Sequence, residues 1–120
     1  MATTILNHAL IDHKLTIMRD KDTKTIVFKD NLDEIAMLMA YEVTKELPLV
    51  DKEIVTPICP NELEKNLKKQ IILVPILRAG NCLVDGFRRI IPTAKIGHIG
   101  MARNEETLIP EEYYAKFPSV

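Results

Sequence analysis

No apolar run in this sequence approaches the roughly 18 residues that a membrane-crossing helix requires, so no membrane helix is expected. The N-terminus is interrupted by His8, Asp12, His13 and Lys14, a pattern that excludes a secretory signal. Charge of one sign is also lacking. The net charge is −1, which leaves no global field for nucleic acid, and the pairs Lys68-Lys69 and Arg88-Arg89 read as solvated faces. There are only two cysteines, Cys59 and Cys82, far apart and outside any CxxC pattern. Secreted domains of this size carry several pairs, so a reducing cytoplasm is the expected compartment. Cys82 is read as a small buried packing residue rather than a reactive thiol. The three histidines, His8, His13 and His98, do not pair at metal-ligand spacing, and no metal-ligating residue is assigned. Apolar residues are 47% and charged residues 28% of the 120, the profile of a soluble globular domain or part of one.

What is present is organised around Ile71-Ile72-Leu73-Val74-Pro75-Ile76-Leu77-Arg78-Ala79-Gly80. Seven unbroken apolar residues, many of them β-branched, predict a strand buried on both faces. A buried helix is the rival reading, and Pro75 and Gly80 argue against it. Arg78 then stands where the strand leaves its sheet. Ala79, Gly80 and Asn81 open a helical pattern carried by Leu83, Val84, Phe87, Ile90 and Ile91, about 11 residues long. Small residues at a helix start leave backbone N–H groups uncovered beside a fixed cation, which suits an anion, phosphate above all. The bland alternative is an exposed arginine at an ordinary strand end.

Upstream, Asn7 is a candidate cap for a helix through Leu10, Ile11, Leu15 and Met18, closed by the charged turn Arg19-Asp20-Lys21-Asp22. Residues 25–47 carry the strongest helical period. Phe28, Leu32, Ile35, Met39, Val43 and Leu47 form a stripe flanked by Ala36 and Ala40, with Lys29, Asp30, Asp33, Glu34 and Lys45 opposite and Pro48 as the stop. That stripe, with Met37, reads as core or subunit interface and not as a cofactor site. Val50, Ile54, Val55 and Ile58 predict one or two short strands, with Pro48, Pro57 and Pro60 confining them to edges. Residues 61–70 read as one or two helical turns.

Downstream, residues 94–103 alternate as a second strand, and Gly97 and Gly100 imply close packing by a neighbour. Residues 71–103 therefore read strand, helix, strand, with the two strands parallel and the crossover right-handed. Arg78 and Arg103 both fall at carboxyl ends of strands, the rim where open α/β sheets bind ligands. Neighbouring strands lie about 4.8 Å apart, so two guanidinium groups can meet on one anion. Residues 104–120 are acidic, then aromatic through Tyr113, Tyr114 and Phe117, and read as an extended arm that covers either a partner or its own domain.

These residues resemble the uracil phosphoribosyltransferase family. The resemblance rests on Val74-Pro75-Ile76-Leu77-Arg78-Ala79-Gly80 and on Gly100-Met101-Ala102-Arg103-Asn104-Glu105-Glu106-Thr107. It is extended by residues 8–15, Met18-Arg19-Asp20 and Tyr41-Glu42, and Ala9 departs from the family's usual proline. The resemblance implies a partial phosphoribosyltransferase-type, Rossmann-like α/β fold: a parallel sheet flanked by helices, with N-terminal helices and a C-terminal arm. Residues 1–120 are then a single incomplete domain, and 104–120 begin a dimer-reaching arm. The family converts uracil and 5-phospho-ribose 1-diphosphate to UMP and diphosphate, usually with Mg²⁺ accompanying the sugar diphosphate. By resemblance Arg78, Ala79, Gly80 and Arg103 contact phosphoribosyl diphosphate, and no catalytic residue is assigned. The family's later phosphate cradle and uracil-recognition segment have no counterpart here, which implies a chain inactive alone and stable as a homo-oligomer in the cytoplasm. The competing reading is a non-catalytic interaction or dimerisation fragment of the same fold. An RNA-binding regulator is disfavoured by the near-neutral charge.

Overall fold

In the computed structural model residues 3–119 are described; residues 1, 2 and 120, the extreme ends of the expected domain and arm, lie outside the described residues. The described residues form a mixed α/β structure of three α-helices, short parallel-paired strands and two antiparallel hairpins.

Helix α1 (Ala9–Arg19) is capped by His8, not Asn7: the His8 imidazole Nδ1 accepts the Leu10 N–H at 3.2 Å. It ends in the expected charged turn, where the Asp20 carboxylate accepts the Asp22 N–H at 2.9 Å. Helix α2 (Thr25–Val43) stops four residues before the expected end. The Thr44 hydroxyl and the Thr44 N–H both donate to the Ala40 carbonyl, so the helix ends before Pro48 is reached. The buried face of α2 is Asn31, Ile35, Ala36 and Ala40. The expected stripe is thus rotated: Phe28 and Val43 are exposed, and the flanking alanines lie at its centre. The reason is helix α3 (Val84–Ile90), which crosses at Gly86. A Cβ on Gly86 would lie 2.4 Å from both the Ala36 Cβ and the Asp33 carbonyl oxygen. Such an approach needs small residues on both helices. Helix α1 also packs on α2 and is tied to it by the Lys14–Glu34 ion pair.

Strands β1 (Leu49–Ile54) and β2 (Glu62–Leu67) form an antiparallel hairpin, Leu49 opposite Leu67 and Ile54 opposite Glu62. The helical reading of residues 61–70 is corrected here. An isolated turn or two of helix is marginal, whereas pairing with β1 satisfies the backbone along the whole segment. Hairpin side chains are nearly all exposed.

The organising segment forms β3 (Ile72–Leu73) and β4 (Ile76–Leu77), paired in parallel with β5 (Lys95–Ile96) and β6 (His98–Arg103) respectively. The ladder passes through Pro75, because the Ile71, Leu73 and Pro75 carbonyls accept the N–H groups of Lys95, Gly97 and Ile99 at 3.0, 2.9 and 3.2 Å. Pro75 has no N–H to return a bond, and the two-strand pairing is split there into two short halves. Burial on both faces does not hold: Pro75 is buried, but Val74 is 40% and Ile76 53% exposed.

Residues 104–119 do not run free. After a loop, β7 (Pro110–Lys116) folds back antiparallel on β6, His98 opposite Lys116 and Arg103 opposite Pro110. The glycines expected to permit close packing do so. A Cβ on Gly100 would lie 2.6 Å from the Tyr113 ring, and one on Gly97 would lie 2.8 Å from the Phe117 ring. The buried apolar set is small: Ile11, Ile35, Ala36, Ala40, Ile91 and Ala94.

Candidate functional site: the carboxyl rim of the parallel sheet

Arg78 follows β4 directly. The peptide joining it to Leu77 is cis. Its carbonyl accepts the Asn81 N–H at 3.2 Å, which starts a 3-10 turn over Ala79–Leu83. The expected regular helix is therefore divided, a 3-10 turn first and seven α-helical residues after it. The backbone near Arg78 is a tight turn rather than the open start of a long α-helix. Arg78 and Ala79 are exposed and Gly80 is half-buried.

Arg103 ends β6, the parallel neighbour of β4. Leu77 is aligned with Gly100, so positions 78 and 103 both lie beyond the same, carboxyl, rim. Arg103 stands two residues further along than Arg78, roughly 7 Å at strand rise, on the part of β6 that pairs with β7 alone. The antiparallel register shifts between Gly100 and Met101, where the hairpin leaves the sheet. Among the described residues the ion pairs are all made by lysines, and neither guanidinium is engaged by a carboxylate.

Two residues organise the rim without having been singled out as doing so. Lys29 lies on the polar side of α2, opposite the apolar stripe. Its ammonium donates to the Asp33 carboxylate at 2.8 Å, the Asp85 carboxylate at 3.4 Å and the Cys82 carbonyl at 3.4 Å. It thereby ties α2 to the turn and helix that follow Arg78. The hydrogen bond to Asp33 raises the Lys29 pKa from its ordinary 10.5; desolvation opposes the rise, and the Asp33 charge and the hydrogen bond and charge of Asp85 add to it. The only sequence sign of this was the four-residue spacing of Lys29 and Asp33. Asn104 is the second. Its carboxamide oxygen accepts the Glu106 and Thr107 N–H groups at 2.9 and 3.0 Å, and its nitrogen donates to Glu111 at 3.0 Å. It folds the loop beside Arg103, a role for which asparagine in a polar run is suited. In the same loop Leu108 has a φ of 60°, the left-handed region.

Cys82 is exposed, not buried as expected, and Cys59 is half-buried. Among the described residues no three His, Cys, Asp or Glu side chains come together as a metal site. No described helix is long and apolar enough to cross a membrane.

A parallel β–turn–helix–β unit that carries two arginines toward its carboxyl rim defines the class as α/β. Comparison with known proteins narrows the class. Residues 5–120 match the family described as uracil phosphoribosyltransferase, and the chain belongs to that family. The uracil phosphoribosyltransferase of Levilactobacillus brevis is 52% identical over 115 residues, 96% of this chain and 55% of that protein. That of Latilactobacillus sakei is 54% identical over 117 residues, 97% of this chain and 56% of that protein. The solved structure of the AQ2163 protein from Aquifex aeolicus superposes with a TM-score of 0.86 at 38% identity, covering 96% of this chain and 55% of that one. The chain spans about half the length of the curated relatives it matches.

Proposed function

We propose that this chain supplies the diphosphate-binding half of a uracil phosphoribosyltransferase, which makes UMP and diphosphate from uracil and 5-phospho-ribose 1-diphosphate in cytoplasmic pyrimidine salvage. The observation that carries the proposal is the register of β4 with β6, which sets positions 78 and 103 beyond one rim. In the reaction the bond from ribose C1 to the diphosphate oxygen breaks, and a bond forms from C1 to a uracil ring nitrogen that loses its proton. The leaving diphosphate gains negative charge as its bond lengthens. Arg78 and Arg103, with the backbone N–H groups of Ala79 and Gly80, stabilise that charge most at the transition state. The chain's own role is to bind and orient the leaving group. The ribose 5-phosphate and uracil sites are assigned to the part of the family outside the matched segment, so the reaction belongs to the assembled domain.

The rim does not fit Mg²⁺ as a protein-held ion. Its two prominent side chains are cations, and among the described residues no acidic cluster offers a donor set. Mg²⁺ is assigned to the substrate diphosphate, and no step is routed through it.

In a full-length form of the enzyme, Arg78→Ala should lower kcat/KM for phosphoribosyl diphosphate by about 100-fold or more. Near-normal UMP formation by that variant would remove the proposal. A second reading, a non-catalytic self-associating fragment, is favoured by the exposed Tyr113, Tyr114 and Phe117 of β7 and its flank. A clean monomer at micromolar concentration would exclude it.

A further inference from the structure

The turn after Arg78 has little of its own to hold it in place. Its backbone is closed locally, by the Asn81 N–H on the Arg78 carbonyl at 3.2 Å and the Val84 N–H on the Asn81 carbonyl. None of the residues Ala79–Leu83 is buried, and no side chain caps the turn. Local bonds of this kind give a turn its shape but not its place relative to the helices and the sheet.

Lys29 supplies that place. An ammonium group has three protons to donate. Here each has an acceptor: the Asp33 carboxylate at 2.8 Å, the Asp85 carboxylate at 3.4 Å and the Cys82 carbonyl at 3.4 Å. The first acceptor is on α2 itself, the second on α3 and the third on the turn. Asp33 is the anchor, since its side chain is only 15% exposed and its own carbonyl lies at the Gly86 crossing. A bond to the Cys82 carbonyl fixes a rigid peptide plane and not a flexible side chain. Cys82 adjoins Asn81, whose N–H closes the turn on Arg78. Among the described residues the other ion pairs join α1 to α2, β1 to β2, or neighbours at the end of α2, and none touches the turn. With its three protons taken, Lys29 has none left for a ligand, so any effect it has on an anion at the rim is indirect.

We infer that Lys29 is a positioning residue for the diphosphate site. It holds the turn where the Arg78 guanidinium and the Ala79 and Gly80 N–H groups face an anion shared with Arg103. The inference rests on the reading proposed above and deepens it, since it names a residue that sets diphosphate affinity without touching the ligand.

The test titrates the 120-residue chain with inorganic diphosphate by calorimetry and follows hydrogen exchange at the Asn81 amide. Lys29→Met should weaken binding about fivefold and speed exchange at Asn81, with exchange along β6 unchanged. Lys29→Arg keeps the charge and the donors and should stay within about twofold of the native chain. Lys65→Met removes the same charge and also breaks an ion pair, with Asp51 in the β1–β2 hairpin, and should bind as the native chain does. Asp85→Ala, at a side chain 68% exposed, cuts the same bridge and carries the test should Lys29→Met not fold. It should weaken binding about twofold even though it removes a negative charge, whereas a field effect would tighten binding. The loss in Lys29→Met should persist at about 1 M salt, where a field reaches only about 3 Å. Native affinity in Lys29→Met, a loss that salt abolishes, or tighter binding by Asp85→Ala would overturn the inference and leave the rim as the site. A native chain that binds no diphosphate would remove the proposed reading itself, and the inference with it.

Discussion

Arg78 and Arg103 show how one residue type can carry different information at two positions. The place of Arg78 at the end of β4 was legible because it interrupts an apolar run. Arg103 was legible only through pairing, once two strands were read as parallel neighbours. Lys29 was not legible, because a lysine on the polar side of an amphipathic helix resembles any solvated charge. Its task depends on Asp85 and the Cys82 carbonyl, which come from more than fifty residues away. The Lys29 pKa is raised in the folded state, so its stabilising contribution is complete below pH 10.5 and is lost as pH rises through the higher folded value. The stability difference between the native chain and Lys29→Met should therefore be constant below that pH and shrink above it, as read by urea denaturation across an alkaline series. A difference that persists unchanged above the titration would show that Lys29 acts through packing alone.

Among elements, the pairing of helix α2 with α3 decides where the turn after Arg78 sits. Periodicity located α2 and the side on which it is buried, but put Ala36 and Ala40 at the flank and not the centre, because they weigh little on any apolar scale and yet admit the nearest neighbour. What selects them is Gly86, from a helix fifty residues later. Gly86→Ala forces a methyl against the Asp33 carbonyl and the Ala36 side chain. It should lower the melting temperature by about 5 °C or more, and a change below one degree by calorimetry would contradict the packing described. The β2 strand escaped sequence reasoning for a related reason. Leu63 and Leu67 repeat at helical spacing, and only pairing with β1, which is decided by the whole hairpin, makes the segment extended. The β6–β7 hairpin was half legible: Gly97 and Gly100 announced a close neighbour, and the neighbour is the aromatic segment that was read as an arm.

The whole molecule is a framework with much of its apolar surface uncovered. Ile76, Val74, Tyr113 and Phe117 are exposed in a chain whose buried hydrophobic core, among the described residues, is three isoleucines and three alanines. Composition alone gave no sign of this, because 47% apolar content is ordinary and says nothing of how much of it finds a partner within the chain. The strand read as buried on both faces is one that such a strand's composition demands. Here, among the described residues, Val74 and Ile76 remain exposed and β3 and β4 each pair on one side only.

The account depends on two arginines, from neighbouring parallel strands, meeting one diphosphate. The direct measurement is a titration of the 120-residue chain with inorganic diphosphate, followed by amide chemical shifts, in the native chain and in Arg78→Ala and Arg103→Ala. Shifts should concentrate at residues 78–81 and near 103, and each substitution should weaken binding about tenfold or more. Equal affinity in all three proteins, or shifts confined elsewhere, would contradict the shared site.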